Sequence, residues 1–154
     1  MSIFKYINKD ILLIENGIIA HSVNCQLGMG AGLALSIKKK YPIIFIDYIE
    51  DRTPGSHNLG DVTSTFINSN LCVCNLFTQI YYGRNKNIKY GNIDAIKKCF
   101  DIVINLSLIS NLDIHIPKIS CGLANLDWDT EVYPALLEIC NKNKYTKNIY
   151  VYYI

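Results

Sequence analysis

His21-Ser22-Val23-Asn24-Cys25-Gln26-Leu27-Gly28-Met29-Gly30-Ala31-Gly32-Leu33-Ala34 is the stretch that decides the fold. The apolar run Ile18, Ile19, Ala20 and Val23 within Gly17–Asn24 suits a strand buried on both faces. Downstream, Leu33, Ala34, Ile37 and Tyr41 follow helical spacing from residue 31, and Pro42 ends that segment by disfavouring the α conformation just before it. A buried strand therefore passes through three glycines directly into a helix. In such a loop backbone N–H groups approach an anion without obstruction from a Cβ, and the helix dipole favours negative charge. Alone, a glycine loop fits a tight turn or close strand–helix packing equally well.

Outward from this unit, strand-like and helix-like segments alternate to both ends. Strands are predicted over residues 3–7, 62–67, 71–76, 114–119 and 148–153, with Asn68-Ser69-Asn70 as the turn joining the second pair. A short helix fits residues 43–49, and residues 51–58, with Pro54 and Gly55, read as a loop. Asn92 is placed to cap a helix in which Ile93, Ile96, Phe100, Val103, Ile104 and Ser107 share a face. Thr130 is the expected cap of a last helix running to about Cys140, with Pro134 tolerated in its first turn. The pattern predicts one α/β domain over residues 1–154, a three-layer α/β/α sandwich around a mixed sheet.

Composition narrows the function classes. Half of the 154 residues are apolar and 18% are charged, as in compact folded domains. A net charge of +2 is too small to argue for nucleic-acid binding, and Lys38-Lys39-Lys40 reads as a solvated helix end. The six cysteines show no metal spacing and no signal peptide precedes them, which points to free thiols in a cytoplasm. Cys72 and Cys74 fall on one face of a strand as small hydrophobes. Neither a membrane span nor a metal site is expected, because apolar runs are short and His21, His57 and His115 lack ligand spacing.

A second candidate loop, Ser120-Cys121-Gly122-Leu123-Ala124-Asn125, follows the strand ending Ile116-Pro117-Lys118-Ile119. Ligands of open α/β sheets bind beyond the carboxyl ends of strands, so two such loops suit a diphosphate held from opposite sides. This pair resembles the ligand loops of macro domains. Residues 21–34 are similar to the first, and the Pro-Lys-Ile-Ser-Cys-Gly-Leu core with Leu126-Asp127-Trp128 is similar to the second. Lys9-Asp10-Ile11 stands in place of the family's early Gly-Asp-Ile motif, and Asn75-Leu76-Phe77-Thr78-Gln79 agrees on the central strand.

The resemblance implies an ADP-ribose site without a cofactor. Gly28, Met29, Gly30, Ala31 and Gly32 would line it from one loop, and Ser120, Cys121, Gly122, Leu123, Ala124 and Asn125 from the other. Asp10 and Ile11 would meet the adenine, with Tyr152 stacking nearby, although a cap for Asp10 and ordinary packing for Tyr152 are equally natural uses. Asn24 would hold the distal ribose or orient a water, or else close the strand in an Asx turn. His21 would give a proton to the leaving oxygen if it is not simply a core residue. Lys118 and Asp127 have ordinary structural uses.

Within the family, the likeness is to the branch of ADP-ribose 1″-phosphate phosphatases and the glycohydrolase that clears ADP-ribose from glutamate. The phosphatases carry His-Ser-x-Asn-Cys, as His21-Ser22-Val23-Asn24-Cys25 does, whereas the glycohydrolase has lysine and aspartate where Gln79 and Ala124 stand. The expected activity is hydrolysis of ADP-ribose 1″-phosphate by a monomer. A non-catalytic ADP-ribose reader and a hydrolase acting on ADP-ribosylated protein or nucleic acid remain alternatives.

Overall fold

The computed structural model describes residues 3–26, 28–49 and 58–154, so the loop expected over residues 51–58 lies, apart from Asn58, outside the described residues. Strands β1 (Phe4–Asn8), β2 (Gly17–Asn24), β3 (Val62–Asn68), β4 (Leu71–Gln79), β5 (Ile114–Pro117) and β6 (Ile149–Tyr153) form one sheet in the order β1-β6-β5-β2-β4-β3. β3 runs antiparallel to β4 and the other pairs are parallel, giving the mixed sheet expected. Helices α1 (Gly32–Lys40) and α2 (Pro42–Ile49) cover one face, and α3 (Ile93–Ser110) and α4 (Tyr133–Lys142) the other.

Period-two alternation explains the two cores. Ile18 and Ala20 of β2, with Cys72, Cys74 and Leu76 of β4, pack toward α3 and α4. Ile19 and Val23, with Val73 and Phe77, pack toward Ile37, Ile44 and Tyr48 of α1 and α2. Strands buried on both sides need the continuous apolar runs seen in the sequence. Cys72 and Cys74 do share a face, and all six cysteines are free thiols. Each fully buried large side chain, such as Phe100 or Ile96 of α3, contributes about 1.5–3 kcal/mol of burial. Asn92 caps α3 by accepting from the Ala95 N–H at 2.9 Å, as its position predicted.

Several boundaries differ from the sequence reading, each for a local reason. β4 runs on to Gln79 because its last residues stay paired with β2, Val23 with Phe77 and Asn24 with Gln79. β5 ends at Pro117, which lacks an N–H to continue a ladder, and the chain turns with the Cys121 N–H on the Lys118 carbonyl at 3.2 Å. Pro42 ends α1 and also opens α2, since its fixed φ suits a first helical position. A short 3₁₀ turn, Ile11–Leu13, had no sequence signal strong enough to predict it. The last helix begins earlier than expected. Asp127, not Thr130, is the cap, accepting from the Thr130 N–H at 2.8 Å and hydroxyl at 2.7 Å, and a π-helical turn, Trp128–Val132, precedes α4. Among the described residues no helix is long and apolar enough to cross a membrane.

Candidate functional site

The cleft follows from the topology. β2 and β5 are parallel neighbours, but β2 leads to α1 on one face while β5 leads to α4 on the other. Chains departing to opposite faces leave a crevice beyond the strand ends. It has a volume of about 470 Å³ and is walled by residues from the end of β2, the first glycine loop, the second loop and a segment after β4. That size suits a nucleotide-scale ligand.

Two rows of unpaired donors border this space. In the first loop, the N–H groups of Gly30, Ala31, Gly32, Leu33 and Ala34 have no hydrogen-bond partner among the described residues. Ala31 occupies the N-cap of α1 without a side-chain cap, unlike Asn92 of α3. Gly32 needs its positive φ of 57°, but Gly30 does not have one, and a Cβ at Gly30 would meet nothing within 4 Å. In the second loop the N–H groups of Gly122, Leu123 and Ala124 are likewise unpaired among the described residues, and Gly122 also faces open space. Exposed backbone donors at a helix start and in a turn favour anions.

Asn24 organises the first loop. A bulge between Val23 and Asn24 lets Asn24 pair with Gln79 and turns its side chain into the loop. Its Oδ1 accepts from the Gln26 N–H at 2.9 Å and the Gly28 N–H at 3.3 Å, its Nδ2 donates to the Gly28 carbonyl at 2.8 Å, and its backbone carbonyl accepts from the Tyr48 hydroxyl at 2.5 Å. The Asx turn is thus built, and one Nδ2 hydrogen remains for a ligand. Beneath the second loop, Ser120 Oγ joins Ser22 Oγ at 3.0 Å and Thr78 Oγ1 at 3.2 Å, tying that loop to β2 and β4.

His21 borders the cleft but is 1% exposed. Its Nε2 pairs with Asn75 Oδ1 at 2.5 Å, and Asn75 Nδ2 donates to Thr63 Oγ1 at 3.1 Å, so Asn75 Oδ1 is the acceptor and Nε2 carries the proton. Nδ1 is buried and bare. Burial outweighs the Asn75 bond and pushes the imidazole down to about pKa 4. In this neutral form the one proton of His21 is directed at Asn75, inside the sheet.

The remaining expected residues divide. Gly28, Gly30, Ala31, Gly32, Ser120, Gly122, Leu123 and Ala124 border the cleft. Asp10, Ile11, Met29, Cys121, Asn125 and Tyr152 do not. Asp10 accepts from the Leu12 N–H at 2.9 Å and caps the 3₁₀ turn, and Ile11 and Met29 are core residues. Cys121 donates to the Ile119 carbonyl at 3.2 Å, and burial pushes its thiol up to about 11. Tyr152 is 7% exposed, with its hydroxyl 2.7 Å from His115 Nδ1. Tyr82, Gly83 and Arg84 also border the cleft and were missed, because the irregular segment after β4 carries no periodicity. Among the described residues no Asp or Glu borders the cleft, and no three His, Cys, Asp or Glu side chains are placed to hold a metal ion.

A mixed α/β/α sandwich with a two-loop anion cleft at the ends of its central strands is the class of protein this geometry defines. The macro domain family model matches residues 20–133, well over half of the chain, and the chain belongs to that family. It is 26% identical to a protein of Meyerozyma guilliermondii named ADP-ribose 1″-phosphate phosphatase, over 98% of this chain and 99% of that one. It is 25% identical to a Mycobacterium tuberculosis protein named DNA ADP-ribosyl glycohydrolase, over 80% of this chain but 35% of that one. Among solved structures, Thermosipho africanus DarTG in complex with ADP-ribose superposes with a TM-score of 0.76 at 17% identity, covering 97% of this chain and 41% of that one.

Proposed function

We propose that this macro domain binds ADP-ribose in the cleft and hydrolyses ADP-ribose 1″-phosphate to ADP-ribose and phosphate. The observation that carries the reading is the pair of unpaired N–H rows across one cleft, eight donors with no acceptor among the described residues. The diphosphate lies between the rows, and the free Nδ2 hydrogen of Asn24 meets the distal ribose. Phosphoryl transfer to water depends mainly on positioning and on donors and cations around the phosphate. Hydrolysis of a glycosidic bond by the usual route needs carboxylates, and none among the described residues borders this cleft. Gln79, whose Nε2 donates to the Tyr81 carbonyl at 2.8 Å, and Ala124 supply neither an amine nor a base. The end-to-end similarity to a protein named for the phosphatase activity supports the same choice.

Incubation with ADP-ribose 1″-phosphate should release inorganic phosphate. Gly30→Glu fills the cleft without a backbone clash and should abolish release while the melting temperature stays unchanged. Equal release by both proteins would sink the proposal. The absence of a carboxylate among the described residues that border the cleft favours a second reading, a non-catalytic reader. Calorimetric binding of ADP-ribose with no phosphate release identifies it.

A further inference from the structure

The cleft has a third wall whose construction points to one residue. After β4 the chain is fastened to both ligand loops. The Tyr82 N–H donates to Gln26 Oε1 of the first loop at 3.0 Å, and Asn125 Nδ2 of the second loop donates to the carbonyls of Asn85 at 3.0 Å and Ile88 at 2.6 Å. Gly83 packs where a Cβ would lie 2.3 Å from the Tyr90 hydroxyl, and that hydroxyl also accepts from the Asn85 N–H at 3.2 Å. Between these straps stands Arg84, bordering the cleft, exposed, and without a hydrogen bond or ion pair among the described residues. A guanidinium whose backbone is fixed on both sides, and whose fork is uncommitted, is preorganised for a phosphate.

Resting on the proposed function, in which the two N–H rows hold the diphosphate, we propose that Arg84 is the specificity residue for the terminal phosphate and takes it in a charge-assisted pair. The wall carrying Arg84 is bonded to the turn that Asn24 closes, which is the end of the cleft assigned to the distal ribose. Arg84→Gln should fold normally, because the native side chain has no partner to lose among the described residues. Its kcat/KM for ADP-ribose 1″-phosphate should fall about 30-fold, the factor for one lost charge-assisted pair, while its Kd for ADP-ribose stays within about threefold. Arg84→Lys should recover part of the loss, since it restores charge but not the fork. Equal loss of turnover and ADP-ribose affinity would overturn the proposal by placing Arg84 on the diphosphate, and so would no loss in either. If the wild type releases no phosphate, the hydrolysis reading fails, and Arg84 is judged by binding. Tighter binding of ADP-ribose 1″-phosphate than of ADP-ribose, abolished in Arg84→Gln, supports it. Equal binding of the two by the wild type overturns it.

Discussion

Acidification should destabilise this protein through His21, by an amount the structure allows to be worked out. In the unfolded chain the imidazole titrates near 6.5, whereas in the fold burial pushes it down to about 4. A depressed folded value means that the unfolded state binds more protons between these limits. Stability is therefore fully present above about pH 6.5 and is lost as pH falls toward 4. At about 1.4 kcal/mol per pH unit, this interval corresponds to about 3 kcal/mol in all, most of it lost by pH 4.5. The physical cause is specific: protonation puts a donor on Nδ1, which has no acceptor, and a charge inside the sheet. His115, lowered mainly by burial, acts in the same direction, and so does acid protonation of Asp127, whose carboxyl is held low mainly by the Thr130 hydroxyl. The contribution of His21 is isolated by comparison with His21→Gln, which can still donate to Asn75 but does not titrate. Urea unfolding of both proteins at pH 7.5 and 4.5 is the assay. The wild type should lose about 2–3 kcal/mol more than the variant, and parallel pH dependence in the two proteins would refute the assignment of a bare, buried Nδ1.

Asn24→Ala removes the acceptor of the Gln26 and Gly28 N–H groups and should cost about 1–3 kcal/mol, with ADP-ribose affinity falling more than about tenfold. Denaturant melts and calorimetry check the two effects. Ser107 donates to the Leu112 carbonyl at 2.6 Å and lies 2.7 Å from the buried Tyr145 hydroxyl, so Ser107→Ala should destabilise by about 1–3 kcal/mol without altering ligand affinity. Replacing Asp127 by alanine should lower the melting temperature more than replacing Thr130, because Asp127 holds the cap. Reversal of that order would restore Thr130 to the role its sequence position suggested.

Local sequence determined much of this protein. The run Ile18-Ile19-Ala20 followed by glycines and a helical apolar pattern could only be a buried strand feeding a helix, and β2 occupies the predicted Gly17–Asn24. The face of α3 built from five apolar residues and Ser107, and the Asn92 cap, were equally readable, because burial periodicity and capping act over a few neighbours. The two glycine loops were legible for the same reason. Tertiary structure alone decided what those pieces do together. The pairing of β2 with β4 set His21 against Asn75, 54 residues away, and buried its ring in the sheet. Straps from Gln26 and Asn125 built a cleft wall from an aperiodic segment and brought Arg84 to it. Desolvation and hydrogen bonding depend on neighbours distant in the chain, so neither the protonation of His21 nor the place of Arg84 could be read from local pattern.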